Sequence, residues 1–300
     1  MPNANPKTER GATQALALKL YGDYHTHTKY SDAGHGITVA DNVKSAISAG
    51  LQEIAITDHG FNNPILALTR RKFRKEKIEV EEARKTFPQI KIYHGIEADI
   101  ISLDGRLDIT EEEIEDVDLL VAGFHAGAIP PNGKSFRRMY MPVFKKAVFP
   151  RYSEHSSIIA DNTKAYIKCI EKYPIDVLAH PDNRLRINAY DVCKCCADNG
   201  TIVEINAKHV DIVERTFDDM LRSNALLMAN TDSHRPNRIG DFTAIADFFA
   251  SRGINSDILC NKNGTPPFKR GGLNRVKTAT TGTAPAGNVG ATPCRPKEEH

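Results

Sequence analysis

Short apolar segments rich in β-branched residues recur along this chain, and most of them end in a histidine or an acid. Seven of the eleven histidines and two acids form one series, which comprises His25, His27, His35, His59, Glu97, His125, His180, Asp232 and His234. Imidazole and carboxylate groups suit divalent zinc, manganese or iron, and nine of them exceed what one ion can coordinate. The series therefore predicts a site for several metal ions. The remaining histidines, which we expect to be ordinary core or surface groups, are His94, His155, His209 and His300.

The spacing of this series indicates the fold. From His27 to His59, then to Glu97 and to His125, the intervals are 28 to 38 residues. A βα unit takes about 30 residues or somewhat more. Such intervals fit the ends of successive strands in one (β/α) barrel, where active sites lie at the carboxyl ends of the strands.

Hydrophobic periodicity predicts seven strands that alternate with helices. The strands are expected at 18–24, 53–57, 91–96, 118–123, 175–179, 200–206 and 225–230. The main helices are expected at 38–49, 65–86, 156–171, 189–199, 211–222 and 242–251. This alternation predicts an α/β fold with a seven-stranded barrel.

Length and composition are compatible with one domain. A chain of 300 residues with 40% hydrophobic content can form a single barrel, whereas two domains would divide the ligand series. Residues 1–17 are interpreted as a polar extension and residues 18–263 as the domain. The tail at 264–300 lacks periodic apolar residues and is expected to be disordered. The step from His125 to His180 is 55 residues, which indicates an insertion at 130–155.

Charge and cysteine content narrow the class of protein. A formal net charge of +2 gives no general argument for nucleic acid or membrane binding. The six cysteines lack zinc-finger spacing, which favours reduced thiols in a cytoplasmic protein. We recognise neither a signal peptide nor an apolar run of about 20 residues, so no membrane association is expected. No pattern indicates an oligomeric state.

Six short motifs contain most of the series. They are Tyr24-His-Thr-His-Thr28, Ile56-Thr-Asp-His-Gly60, Gly95-Ile-Glu97, Gly123-Phe-His125, Ala179-His-Pro181 and Thr231-Asp-Ser-His234. In this order they resemble the motifs of the polymerase and histidinol phosphatase (PHP) family of metal-dependent phosphoesterases. The resemblance covers about residues 20–263 and is closest to the stand-alone, trinuclear zinc phosphatase branch. It implies a distorted, TIM-like (β/α)7 barrel, in agreement with the strand count.

The resemblance also implies how the ligands are shared. One ion would be held by His25, His27, Glu97 and Asp232, a second by His35, His59 and His234, and a third by Glu97, His125 and His180. Glu97 would bridge two ions, and Glu97 and Asp232 would be catalytic. Asp58 is interpreted as an orienting group for the adjacent ligand His59, because metal-bound imidazoles usually donate their second nitrogen to a carboxylate or carbonyl.

Polar residues near the series are expected to bind substrate. Arg235 and Arg238 follow the last ligands, and Asn206 ends the sixth predicted strand. The 130–155 insertion alternates cations with rings, and one interpretation is a lid whose Arg137 and Arg138 grip an anionic, aromatic substrate such as a nucleotide. The alternative is an oligomer contact or a solvated helical hairpin.

The expected activity is hydrolysis of phosphate monoesters of a small phosphorylated metabolite by three divalent ions, zinc or manganese, with iron possible. One alternative is a phosphodiesterase or nuclease, disfavoured because the chain contains no polymerase portion; nucleic acid is therefore a possible but not favoured partner. Another is a histidinol-phosphate phosphatase. A metal-binding scaffold without turnover is disfavoured because all nine ligand positions are filled.

Overall fold

Seven parallel strands form the centre of the molecule and pair in the order of the chain. In the computed structural model, the structure describes residues 18–31, 36–64, 66, 68–146 and 152–270. The strands are β1 (Gly22–Asp23), β2 (Glu53–Ile56), β3 (Lys91–Asp99), β4 (Leu119–Gly123), β5 (Val177–Leu178), β6 (Ile202–Asn206) and β7 (Leu227–Asn230). Neighbouring strands are parallel throughout this order. The predicted (β/α)7 barrel is confirmed, although β1 and β5 are much shorter than predicted.

Helices connect the strands. They are α1 (Val39–Ser48), α2 (Arg70–Thr86), α3 (Glu111–Glu115), α4 (Gly133–Ser135), α5 (Met141–Lys145), α6 (Ser156–Lys172), α7 (Ala189–Asn199), α8 (Val210–Arg222) and α9 (Thr243–Arg252). Their ends follow local capping chemistry. Thr38 and Asp41 form a capping box at α1, and Gly200, at φ +67°, ends α7 in the left-handed conformation that glycine adopts readily. α2 begins later than predicted because the Thr69 side chain caps it at Arg70.

The barrel interior has two levels. Near the amino ends of the strands, buried apolar side chains such as Tyr24, Tyr93, Val121 and Met228 fill the space. Outside the barrel interior, between the sheet and the helices, lies a separate and larger apolar cluster. Burial of these side chains stabilises the barrel by about 25 cal/mol for each Å² of apolar surface removed from water. The polar series occupies the carboxyl ends of the strands above this packed floor.

The barrel closes between β1 and β7 without a regular ladder. The side chain of Asn261 lies in this gap, and its Nδ2 donates to the carbonyl oxygens of Gly22 (3.1 Å) and Ala229 (2.8 Å). Further up, the backbone N–H of Thr231 donates to Asp23 Oδ1 at 3.1 Å. Side chains therefore supply the hydrogen bonds along this part of the seam, and among the described residues backbone bonds cross it only further on, where the N–H of His27 donates to the carbonyl oxygen of Ser233 at 2.8 Å.

The predicted domain boundary at residue 264 is wrong. The Thr265 hydroxyl donates to Glu53 Oε1 at 2.6 Å, and the Phe268 ring lies 5.0 Å from that of Tyr24 at the floor of the barrel. Arg270 is 6% exposed and donates from Nη2 to the carbonyl oxygen of Val117 at 3.1 Å. One ring and one guanidinium dock this segment without any periodic pattern. Residues 1–17 and 271–300 lie outside the described residues, so their predicted disorder or polarity stays a prediction.

The described part of the 130–155 insertion is helical. A π-helical turn at Phe136–Tyr140 separates α4 from α5, and a 3-10 turn at Tyr152–Glu154 precedes α6. Tyr140 is buried, and its ring lies 5.1 Å from that of Phe124 at the end of β4. The insertion is therefore packed against the barrel beside the carboxyl ends of the strands. Across the residues described, no helix has the length and apolar character needed to cross a membrane.

Candidate metal centre

The barrel brings eight of the nine predicted ligands together at the carboxyl ends of its strands. These eight are His25 and His27 after β1, His59 after β2, Glu97 in β3, His125 after β4, His180 after β5, and Asp232 and His234 after β7. The ninth, His35, lies outside the described residues. The spacing of the sequence series thus corresponds to one strand end after another around a common centre.

Glu97 is fully buried at this centre, and its two carboxylate oxygens face different imidazoles. Oε2 lies 3.3 Å from His25 Nε2, 3.6 Å from His27 Nε2 and 2.9 Å from His59 Nδ1. Oε1 lies 2.9 Å from His180 Nε2 and 3.6 Å from His125 Nε2. One carboxylate therefore joins two groups of imidazoles.

Asp232, which follows β7, faces two imidazoles of the same centre. Its Oδ1 lies 3.3 Å from His27 Nε2 and 3.2 Å from His234 Nε2, and these two rings stack with their centroids 4.3 Å apart. Asp232 and His180 have φ values of +49° and +29°. A left-handed conformation at a residue other than glycine costs about 1–3 kcal/mol and persists where the surroundings fix it.

The donor atoms fit divalent metal ions. Three sets of three donors lie within 4.8 Å of one another: His25, His27 and Glu97; His27, His59 and His234; and His59, Glu97 and His125. Several buried atoms of these side chains have no hydrogen-bond partner in the part of the chain that the structure describes, among them His25 Nε2, His27 Nε2, His59 Nε2 and Glu97 Oε2. Burying polar atoms without partners is costly. Cations coordinated at this point would supply the missing partners.

Two further carboxylates orient imidazoles of the centre, and they were not predicted from the sequence to do so. Glu204 Oε1 lies 2.7 Å from His25 Nδ1, and Asp99 Oδ1 lies 2.7 Å from His125 Nδ1. A carboxylate on the second imidazole nitrogen fixes the ring orientation of a metal ligand. Asp99 could have been found from the sequence, because it is two residues beyond Glu97 and alternate residues of a strand share a face.

The prediction that Asp58 orients His59 is wrong, because the partners of Asp58 lie in the loop after β1. The Asp58 carboxylate accepts hydrogen bonds from the backbone N–H of Thr28 (2.7 Å) and the hydroxyl of Ser31 (2.5 Å). Its Oδ1 lies 4.0 Å from His27 Nδ1, and no contact with His59 is among those described. Neighbouring side chains in an extended segment point to opposite sides, so Asp58 faces the loop after β1 instead.

The centre carries ionised carboxylates. Burial alone would raise the pKa of Glu97, but His125 and His25 hold that pKa well below its ordinary value. Burial opposes ionisation of Asp232 too, and His25 again holds its pKa low. Burial would lower the pKa of His125, but Glu97 and Asp99 raise it to about 9. The imidazoles thus balance two buried carboxylates, and a bound cation could balance the same charges in place of protons.

A family model described as the PHP domain matches residues 23–215 of the chain. The chain belongs to the PHP family. This membership confirms the expectation of a metal-dependent phosphoesterase, an enzyme that hydrolyses phosphoric esters.

Individual PHP relatives are moderately similar to this chain. A protein named "probable phosphatase" from Caldanaerobacter subterraneus subsp. tengcongensis is 30% identical over 197 residues, which span 64% of this chain and 64% of the relative. One of the same name from Thermoanaerobacter sp. is 26% identical over 258 residues, 81% of this chain and 91% of its own length. The crystal structure of histidinol phosphate phosphatase from Lactococcus lactis subsp. lactis, complexed with zinc, L-histidinol and phosphate, superposes with a TM-score of 0.56 at 17% identity. That match covers 78% of this chain and 94% of the other, and it confirms the barrel fold.

An open cavity of about 380 Å³ leads into the centre of this PHP domain. Its lining includes ligand residues of the series and three basic residues that were not predicted to lie there, Arg184, Lys208 and His209. Lys208 Nζ lies 3.1 Å from Asp232 Oδ1. His209 Nε2 lies 3.8 Å from Asp232 Oδ2, and burial, followed by the nearby His180, lowers the pKa of His209 to about 4. His209 therefore lies at the opening of the centre but belongs to none of the three donor sets given above.

The residues predicted to bind substrate separate into two groups. Arg235 and Arg238 line a second opening beside Asp232, where Arg238 Nη1 pairs with Asp241 Oδ2 at 2.6 Å. Asn206 is fully buried, and its Nδ2 donates to Glu204 Oε2 at 2.8 Å and to Asp232 Oδ2 at 3.3 Å. Its amide thus holds two carboxylates of the PHP centre in place, and a contact of Asn206 with substrate stays a prediction.

The predicted grip by the two arginines of the insertion does not match their positions. Arg138 Nε donates to Asp161 Oδ2 at 2.5 Å, and its Nη2 donates to the carbonyl oxygen of Ser157 at 2.9 Å, so its guanidinium is bound to α6. Arg137 is exposed and lines none of the described cavities. Neither side chain reaches the opening of the PHP centre.

Proposed function

We propose that this chain hydrolyses phosphate monoesters of a small phosphorylated metabolite. The observation that carries the proposal is the arrangement of Glu97, whose two oxygens face two groups of imidazoles beneath an open cavity of about 380 Å³. A cavity of this size admits a small ester, and ligand cavities commonly begin at about 300 Å³.

Three divalent ions are proposed to occupy the centre, with zinc or manganese preferred and iron acceptable to the same donors. The proposed sets are His25, His27, Glu97 and Asp232 for the first ion, His35, His59 and His234 for the second, and Glu97, His125 and His180 for the third. The division of Glu97 between its Oε1 and Oε2 neighbours supports its role as a bridge. When bound, such ions neutralise phosphate oxygens and lower the pKa of a coordinated water.

The side chains at the opening are proposed to bind and orient the ester. Lys208 and Arg235 lie on the side of Asp232 and would contact phosphate oxygens, since cations with free N–H groups pair well with phosphate. Glu204 and Asp99 would hold His25 and His125 in fixed orientations. The neutral ring of His209 would add a hydrogen-bonding group at the opening without a further positive charge.

The experiment is phosphate release from a panel of small monoesters, with bis(p-nitrophenyl) phosphate as the diester. The protein is treated with a chelator, shown to be metal-free, and reloaded separately with zinc, manganese or ferrous iron. We expect no turnover without metal, recovery with at least one ion, and faster hydrolysis of monoesters than of the diester. His155→Gln, at an exposed histidine outside the series, serves as the matched control and should behave as the unaltered protein. Full activity in verified metal-free protein would refute the mechanism, and a preference for the diester would refute the substrate class.

A further inference from the structure

A second cavity, of about 450 Å³, adjoins the opening of the metal centre. Asn183, Arg184 and His209 line both cavities, so the two spaces are direct neighbours. The second cavity is bounded by the loop between β5 and α7, the start of α8, and the insertion, which contributes Val143 and Lys146. A ligand whose phosphate lies at the metal centre can therefore extend into it.

The second cavity is lined by cations. Its charged residues are Lys146, Arg184, Arg186 and Arg215 together with Asp182 and Asp211. Asp182 is occupied, because its Oδ2 accepts from Arg186 Nη1 at 2.6 Å and from Arg215 Nη2 at 2.7 Å. The positive charges therefore exceed the negative ones, and an anion entering the cavity would be attracted.

The loop after β5 is held in a strained conformation that presents Arg184. Asp182 and Arg184 have φ values of +71° and +57°, a region that residues other than glycine rarely adopt. Asp182 fixes the loop, since its Oδ1 also accepts from the backbone N–H of Ile187 at 2.9 Å. Arg184 is exposed and has no hydrogen bond or ion pair to any residue that the structure describes. Such strain is retained where the surroundings enforce it, commonly at ligand sites.

We infer that this second cavity, here called the anion cavity, binds a second anionic group of the substrate at the far end of its leaving group. The inference rests on the proposed function, because it concerns the same ester. The anion is a phosphate or a carboxylate, both of which pair with guanidinium groups through charge-assisted hydrogen bonds. Arg184 stands at the junction of the two cavities, and Lys146 faces the anion cavity from the insertion. The insertion thus selects substrate through Lys146 instead of Arg137 and Arg138.

The test uses a set of substrates that differ only at their far end. Alkanediol monophosphates of two to six carbons are compared with the matching bisphosphates and with phosphorylated hydroxy acids of the same lengths. The terminal hydroxyl, phosphate and carboxylate distinguish a phosphate site from a general anion site. Charge-assisted hydrogen bonds of this kind are worth on the order of 10- to 100-fold in kcat/KM. We expect such a preference for an anionic terminus at one or two chain lengths.

Variants locate the preference in the anion cavity. Arg184→Gln and Lys146→Gln should each reduce the ratio of kcat/KM between anionic and hydroxyl termini at least several-fold. Lys134→Gln, an exposed insertion residue that lines no described cavity, is the matched control and should keep the ratio. Binding of the non-hydrolysable alkane bisphosphonates and monophosphonates, measured by calorimetry, gives the same ratio independently of turnover.

The two proposals fail differently. Hydrolysis of the hydroxyl-terminated esters with no preference for an anionic terminus would overturn the anion cavity and leave the proposed function standing. A preference that persists unchanged in both variants would also overturn it. If none of the esters is hydrolysed but the bisphosphonates bind more tightly than the monophosphonates through Arg184, the anion cavity stands and the proposed function falls.

Discussion

Glu204 is hydrogen-bonded to the ring of His25, with Oε1 of the carboxylate 2.7 Å from Nδ1 of the imidazole. The other oxygen of Glu204 accepts the backbone N–H of His180 at 2.9 Å. One buried carboxylate thus supports two proposed metal ligands from different strand ends.

Glu204→Gln should therefore weaken metal binding while leaving the barrel folded. An amide cannot accept from both groups with the strength of a carboxylate, and loss of such orienting partners typically costs 10- to 100-fold in metal affinity or activity. Metal affinity is measured by competition with a chromogenic chelator, and folding by circular dichroism. Glu214→Gln, on the exposed face of α8, is the control. An unchanged metal affinity in Glu204→Gln would show that Glu204 does not support the metal ligands.

The Glu97→Gln protein should contain less metal than the His234→Gln protein. Glu97 faces both groups of imidazoles and belongs to two of the three donor sets given above, whereas His234 belongs to one, with His27 and His59. The first change should lower metal content by about two ions per chain, as loss of a bridge affects two sites, and the second by about one. Elemental analysis of both purified variants gives the answer. Equal losses would contradict the bridging role.

Glu76 should make stability fall as pH rises. Its carboxyl group is buried on α2, 3.4 Å from His94 Nε2, and burial raises its pKa from 4.5 to about 8, although Asp58 opposes the shift. Between these two values the folded protein keeps a proton that the unfolded chain releases, so this contribution to stability is full below pH 4.5 and is lost towards pH 8. Glu76→Gln cannot ionise, so its free energy of unfolding should gain about 2 kcal/mol on the unaltered protein between pH 6 and pH 8.

Denaturant titrations at several pH values, with metal content held constant, measure this difference. Glu82→Gln, at an exposed position of the same helix, is the control and should follow the pH dependence of the unaltered protein. A parallel pH dependence for Glu76→Gln would show that Glu76 is ionised in the folded protein across this range.

Residues 264–270 should stabilise the barrel. A chain that ends at residue 263 lacks Phe268 on the rings of the barrel floor and the buried Arg270, so it should unfold at lower denaturant than a chain that ends at residue 270. Phe268→Ala alone should cost about 3 kcal/mol, as expected for a buried ring. Phe144→Ala, at a ring that is 57% exposed, should cost much less and is the control. Identical unfolding midpoints for the two truncated chains would show that the docking contributes nothing.

The ligand series could be predicted because it depends on a repeated local pattern. Each histidine or acid follows an apolar run, and parallel strands of one barrel bring their carboxyl ends to the same rim. Eight predicted ligands, Glu97 among them, accordingly meet at one centre. The same argument fixed the strand number, although not the lengths of β1 and β5.

The surroundings of the centre could not be predicted in the same way, because they depend on contacts distant in the chain. Arg138 is held away from the opening by its ion pair with Asp161 on α6. Arg184 reaches the opening because residues of its loop adopt the left-handed backbone conformation, which the local sequence does not predict. Phe268 docks as a single ring, and one ring carries no periodicity from which to predict burial. Each of these outcomes was decided by tertiary packing.

The seam between β1 and β7 also determines when the centre can form during synthesis. Asn261 bonds to Gly22, a residue 239 positions earlier, and His25 and His27 meet Asp232 only once the two ends of the barrel are joined. While a ribosome is still making the chain, the first two imidazoles have emerged long before their acidic partner exists. The proposed metal site is therefore incomplete in the nascent chain, and full occupancy would require the closed barrel. Metal occupancy would in this sense mark a correctly completed molecule.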